Sequence, residues 1–439
     1  MKDMTKGFPA KVILAFAIPL MLGNILQQFY NIVDSKIVSQ YVSVQAFEAV
    51  GATAIVAHTL IAFINGLTQG FAIPIATAFG AGDFHSLRKN IVASVRLLVI
   101  FTVSLSAACM IFIRPILVLL KTPDTIMPDA LSYLRIILMG TAFVALYNMC
   151  ASILRAVGDS KTPLYCLLIS VVINIFLDLL FVIPLHMGIR GAALATILAQ
   201  AMSGAACFAF ILLKFKDLIP RREDKLLTGD IYSELFSAGI AMALMTCIVN
   251  IGTIILQSGI NGLGEDIIAA HTSGRKLLEI MMVFIYTIGI AMTTYVSQNL
   301  GAGQKERIRS GIRQSFVIVT VISTVLLLFA LAFAEPIVRW IVSSDDAYIV
   351  SQGVRYVKFD TCFFYALGPL FILRCSLQGL GRKVVPLISS AAELAIKIIA
   401  VLVLIPAYGY FGVVLTEPIS WCVMTAILIL PFLFKNPIR

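Results

Sequence analysis

The sequence predicts an all-α polytopic membrane protein of twelve transmembrane helices arranged in two six-helix lobes. Three observations carry that reading. The first is composition: of 439 residues, 60% are apolar and 13% charged, against roughly 45–50% and about 25% in ordinary soluble domains. The second is a ladder of apolar runs, such as VILAFAIPLMLGNIL at 12–26, LLVIFTVSLSAACMIFI at 97–113 and VIVTVISTVLLLFALAFA at 317–334. A membrane span takes about 20 such residues. The third is an internal repeat, in which FGAGDFHSLRKN at 79–90 returns as LGAGQKERIRSG at 300–311.

The first element has the early lysines of a signal peptide. Its apolar run continues past Pro19 to about residue 33 with no small-residue cleavage pattern, so it reads as a retained helix. The spans that follow from the apolar runs are 13–38, 51–76, 94–118, 132–154, 163–184, 191–213, 231–258, 272–298, 314–334, 354–378, 385–405 and 411–434. The basic residues test this count. With the N-terminus inside, 20 Lys and Arg fall in inside segments and only Lys121, Arg190 and Arg339 in outside ones. Cytoplasmic loops collect basic residues, so both termini are expected in the cytoplasm. The net charge of +10 then faces an anionic leaflet and requires no nucleic acid. All eight cysteines fall inside predicted spans, where they read as small core residues with neither a disulfide framework nor a metal site.

The repeat continues beyond its first match. ILRAVGDSKTP at 153–163 aligns with SLQGLGRKVVP at 376–386, and IPLHMGIRGAALA at 183–195 with IPAYGYFGVVLT at 405–416. The expected organisation is an N-terminal six-helix lobe at 1–213, a charged cytoplasmic linker at 214–230 and a C-terminal six-helix lobe at 231–439. Six is even, so both copies enter the membrane in one direction, and a pseudo-twofold axis along the membrane normal is expected. Each Gly-Ala-Gly is read as turning the chain into a basic, cytoplasmic surface helix, carrying Arg307 and Arg313 in the second copy. No GxxxxGK[ST] nucleotide loop occurs, so uphill movement would draw on an ion gradient.

PLMLGNILQQFYNIVDSKIV, the AVGA at 49–52, both GAG turns, ILRAVGDSKTP, NIFLD and GYFG together resemble the multidrug and toxic compound extrusion (MATE) family, from about residue 10 to 432. The resemblance implies a secondary transporter, not an enzyme, with no cofactor other than H⁺ or Na⁺ as coupling ion. It implies a multi-pass protein of the bacterial plasma membrane, monomeric among membrane lipids, exchanging the ion for amphipathic, cationic small molecules. A flippase for lipids or lipid-linked precursors is the alternative, and would need a cleft lined with basic residues.

An ion site should appear as polar residues that apolar surroundings make costly, in one copy only. Asp34 is such a residue, with Ile255 as its counterpart, and it continues a polar face through Asn31, Tyr30 and Gln27. The bland alternative is a solvated interfacial carboxylate. Ser170, Asn174 and Asp178 form a second polar stripe at i, i+4, i+8, where the other copy has Lys397 and Val401 at the Asn and Asp positions. A structural helix–helix hydrogen bond would also explain it. In the MATE branch typified by DNA-damage-inducible and archaeal members, the resemblance assigns the cation-coupling site to Asp34, Asn174, Asp178 and Thr196. Such oxygens suit Na⁺ and H⁺ alike. In the second copy, Glu393 with Lys397 and Arg275 with Glu279 read as intrahelical ion pairs. Gln27, Tyr30, Asn31, Glu279, Asp360 and Glu417 are the substrate-cleft candidates.

Overall fold

A computed structural model describes residues 3–42, 44–342, 346–434, 437 and 438. All regular structure among them is helical. Eleven helices are long and apolar enough to cross a membrane, and a bent pair supplies a twelfth span. The chain is α1 (Pro9–Tyr41), α2 (Val44–Gly80), α3 (Phe84–Ile111), α4 (Ile113–Leu119), α5 (Met127–Ala156), α6 (Lys161–Val182), α7 (Gly188–Lys214), α8 (Gly229–Asn261), α9 (Glu265–Gly301), α10 (Lys305–Val342), α11 (Ala347–Cys362), α12 (Phe364–Gly379), α13 (Val384–Ile399), α14 (Ile405–Tyr408) and α15 (Tyr410–Phe434).

Two compact units result, one of Leu22–Ala243, the other of Asp3–Met21 and Leu244–Arg439. The linker at 214–230 lies within the first unit, and the divisions fall inside α1 and α8. Close packing explains where α8 divides. Gly66 and Gly70, one turn apart on α2, face the N-terminal half of α8 so closely that a Cβ on Gly66 would lie 2.5 Å from Ala243 Cα, and one on Gly70 2.5 Å from the Ala238 carbonyl oxygen. Small residues at i and i+4 allow two backbones in lipid to touch in this way. Around this contact the core of the first unit gathers Ile64, Leu67, Phe71, Leu134 and Leu235. In the second unit the start of α1 contributes Ile13, Phe16 and Ala17 to a cluster with Ile288, Met292 and Tyr295 of α9.

The repeat is written in the backbone as well. Gly82 and Gly303 adopt φ of 71° and 69°, a left-handed conformation that favours glycine. Gly158 with Gly381, and Gly188 with Gly409, match in the same way. Two expectations are corrected. The basic stretches after the Gly-Ala-Gly turns are the first turns of α3 and α10 themselves, not separate surface helices. These sequences carry buried apolar residues straight on, Leu87 and Ile91 in one and Ile308 and Ile312 in the other. The tenth span, expected as one run over 354–378, breaks at Phe363 into α11 and α12, bent by 52°. Pro369, early in α12, has no N–H for the Tyr365 carbonyl and crowds it.

Candidate functional site

In the first unit, α6 is apolar except for one buried face. Ser170, Asn174 and Asp178 are 5%, 1% and 0% exposed. The i+4 spacing stacks them toward α7. Ser170 donates to the Ala199 carbonyl at 2.8 Å. Hydrogen bonding sets the Asn174 amide with its nitrogen donating to Asp178 Oδ2 at 2.8 Å and its oxygen accepting from the Thr196 N–H at 3.2 Å. The Thr196 hydroxyl donates to the Ala192 carbonyl at 3.1 Å, which leaves its lone pairs for another donor or a cation. Three of the four residues assigned to ion coupling thus meet at one place. The fourth, Asp34, belongs to α1 by its backbone, but its side chain lies outside the described residues, as do those of Tyr30 and Asn31. Gln27 is exposed.

In the second unit, side chains from α8, α9, α11, α12, α13 and α15 enclose a cavity of about 290 Å³. Glu279, Asp360 and Glu417 all line it. The two intrahelical pairs read from the sequence are present, Arg275 Nε to Glu279 Oε1 at 2.8 Å and Lys397 Nζ to Glu393 Oε1 at 2.9 Å. Lys397 also reaches across to Glu417 Oε1 at 3.2 Å and so ties α13 to α15. A wide π-type turn at Ala400–Leu404 follows Lys397 directly, ahead of Pro406. Pro406 cannot donate to the preceding turn, and such bulges recur where a helix presents functional side chains.

Two charged groups in this cavity are poorly met. Asp360 is fully buried in the last turn of α11, and neither oxygen has a hydrogen-bond partner among the described residues. Arg374 on α12 approaches Glu393 only to 3.9 Å. On the same cavity wall, His271 is 2% exposed and lies against Tyr356 and Tyr410, with ring centroids 4.7 and 6.1 Å away. Sequence reasoning passed over both Arg374 and His271. The available signal was a lone arginine inside the apolar FILRCS at 371–376, since an intramembrane cation is costly unless it is used. The Lys397–Glu417 contact joins helices whose facing no periodicity reveals.

The profile of the MatE family matches residues 19–180 and again 241–403, one match to each repeat. The chain belongs to the MatE family. Among its relatives is the probable multidrug resistance protein YpnP of Bacillus subtilis, 28% identical over 86% of this chain and 84% of that protein. The fold is that of solved MATE structures. A multidrug resistance MATE transporter of the MOP superfamily, in an outward-facing conformation, is similar with a TM-score of 0.88 at 23% identity, over 97% of this chain and 95% of that one. A MOP superfamily transporter of Pyrococcus furiosus, described as having a binding pocket of reversed polarity, gives 0.89 at 23% identity over 98% and 96%. As a MatE protein the chain is a multi-pass membrane transporter of the multidrug efflux kind, and not an enzyme.

Proposed function

We propose that this MatE protein is a secondary antiporter that expels amphipathic, cationic compounds in exchange for H⁺ or Na⁺. The observation that carries the reading is the Asp178 carboxylate, fully buried on an otherwise apolar helix and hydrogen-bonded by Asn174 beside Thr196. A carboxylate buried in apolar surroundings is costly when charged. Taking up a proton, or a sodium ion shared with Asn174 and Thr196, relieves that cost. Asp34 would complete the set from α1. Ion uptake then supplies the differential binding that moves a two-state transporter from one conformation to the other. The unmet Asp360 in the second cavity offers the acceptor for the positive end of a substrate.

The flippase alternative is less well served. The three basic groups of that cavity, Arg275, Arg374 and Lys397, are outnumbered by the four acids Glu279, Asp360, Glu393 and Glu417, so a polyanionic headgroup would meet more repulsion than attraction. The setting that goes with the antiport reading is a monomer in the bacterial plasma membrane with both termini in the cytoplasm. Cysteines placed at 218–224 in a cysteine-free variant should resist membrane-impermeant label in intact cells.

The test is reconstitution. Proteoliposomes loaded with a fluorescent organic cation are given a proton gradient alone, then a sodium gradient alone. One gradient should drive uphill dye movement, and Asp178→Asn should reduce it at least tenfold at equal protein content. Wild-type pumping by Asp178→Asn would reassign the stripe to packing, and movement indifferent to both gradients would exclude antiport.

A further inference from the structure

The charged groups around the second-unit cavity do not balance one another evenly. Arg275 is taken by Glu279 at 2.8 Å, and Lys397 by Glu393 and Glu417 at 2.9 and 3.2 Å. That leaves two groups on the wall without a close ionic partner, Asp360 on α11 and Arg374 on α12. They do not pair with each other, since no ion pair within 4.0 Å joins them. Through Nη2, Arg374 meets Ser389 Oγ at 3.4 Å, Ser390 Oγ at 3.3 Å and, at the edge of ion-pair range, Glu393 Oε2 at 3.9 Å, and its Nε has no hydrogen-bond partner among the described residues. Both serine hydroxyls spend their hydrogens on the Pro386 carbonyl, at 2.7 and 3.3 Å. Their oxygens therefore face the guanidinium as weak neutral props, and the Glu393 carboxylate 3.9 Å away is already engaged by Lys397 at 2.9 Å.

A guanidinium carries five donors in a planar fork that matches a carboxylate, and buried donors left unmet are costly. The props also belong to this half alone. One repeat earlier, Arg374, Ser389 and Ser390 are replaced by Ala151, Cys166 and Leu167.

We infer that the cavity of the second unit is a subsite for dipolar ligands, in which Arg374, propped by Ser389 and Ser390, receives a carboxylate while Asp360 receives the cationic end. The inference rests on the proposed role of this cavity in holding substrate, and narrows the substrate class to organic cations that also carry an acid. The ligand's carboxylate supplies the acceptors that Arg374 Nε lacks, and its ammonium supplies the charge that Asp360 lacks. No atom of the protein's existing ion pairs has to give up its partner.

The experiment measures equilibrium dialysis of benzyltriethylammonium, its para-carboxylate and the methyl ester of that acid against the purified full-length protein in detergent. All three carry the same permanent cation, so only the acid differs. The para-carboxylate should bind about tenfold more tightly than either of the others, the scale of one charge-assisted hydrogen-bonded pair. In Arg374→Gln the ratio of the dissociation constants should fall to about one, and Asp360→Asn should weaken all three ligands. Where Arg374→Gln fails to fold, Arg374→Lys keeps the charge but loses the fork, and should still bring the ratio well below the wild-type value. Equal affinity for the three ligands in the wild type, with Asp360→Asn weakening them all, overturns the anion subsite and leaves the cavity as a cation site. Binding that ignores Asp360→Asn places the ligands elsewhere, and overturns both this inference and the reading of the cavity beneath it.

Discussion

At equivalent places in the repeat the two units solve one problem in opposite ways. The first unit has Ser170, Asn174 and Asp178 where the second has Glu393, Lys397 and Val401. The polar members of both sets are buried, on helices with apolar sequences. In the first, the partner described for the Asp178 carboxylate is an amide, which loses little when the charge changes. In the second, a lysine is fixed between two carboxylates, and removing its charge leaves both without their close counter-ion. The difference teaches that an inherited backbone does not dictate a polar design. The neutral set is suited to gaining and losing an ion, whereas the charged set is suited to holding α13 against α15.

The largest effect should come from breaking the charged set. Lys397→Met leaves the buried Glu393 and the half-buried Glu417 without their close cation, and loss of one partner from a buried pair costs about 3–5 kcal/mol. Thermal unfolding in detergent should show a large drop in Tm. The triple change Glu393→Gln, Lys397→Met, Glu417→Gln should recover most of it, because a neutral set carries no desolvated charge. If Lys397→Met unfolds at the wild-type temperature, the contact between α13 and α15 does not depend on this network, and the contrast between the units is one of composition only.

Much of this was legible in the sequence, and the rest was hidden for identifiable reasons. The twelve spans follow from apolar length, and the repeat from glycines that need left-handed backbone, such as Gly82 and Gly303. The i, i+4, i+8 stripe on α6 could be read because helical periodicity alone places it on one face. The break at Phe363 was not legible, since Pro369 inside an apolar run is equally compatible with a mild kink. Arg374 and the Lys397–Glu417 contact depend on how separate helices face one another, which is set by packing. The division of α1 and α8 between units likewise comes from close approaches such as Gly66 to Ala243, not from a shift in composition.

A second contrast lies where the two Gly-Ala-Gly turns lead into α3 and α10. The start of α3 grips the linker through charge. The Asp224 side chain is fully buried and takes Arg88 Nε at 2.6 Å, His85 Nδ1 at 2.7 Å and the Arg221 N–H at 2.8 Å. Burial alone would raise the Asp224 pKa, but the hydrogen bonds from Arg88 and Arg221 and the Arg88 charge outweigh it, and the value is lowered below the usual 3.8. A depressed carboxylate stabilises the folded state above its unfolded pKa, and that contribution is lost as pH falls through the folded value. Linker docking should therefore hold from pH 8 down to about 4 and loosen only below that. Asp224→Ala should cost about 1.5–3 kcal/mol, because it leaves a buried arginine unmet. Hydrogen exchange over 214–228 reads both effects, and unchanged exchange in Asp224→Ala would show that Phe215 and Leu218 anchor the linker without it.

The start of α10 holds its own segment, the one preceding α1, by neutral acceptors instead, so the smallest effect is expected there. Arg307 donates to the Gly7 carbonyl at 2.7 Å and to the Met4 carbonyl at 3.1 Å, and its Nε to Asn299 Oδ1 at 3.0 Å. The Met4 N–H donates to Gln298 Oε1 at 2.9 Å and the Ala10 N–H to Gln314 Oε1 at 2.8 Å, while the Met4 side chain is buried. Arg307→Ala removes three donors but leaves no buried charge behind, and water can reach the Gly7 carbonyl where Arg307 now meets it. The net loss should be about 1 kcal/mol, a several-fold shift in local opening. Amide exchange at Met4 and Ala10 should quicken by about fivefold while the interiors of α9 and α10 keep wild-type protection. An effect as large as that of Asp224→Ala would erase the distinction between a charged clasp and a neutral one. No change at all would mean that burial of Met4 among Tyr295, Ile308 and their neighbours holds the segment by packing alone.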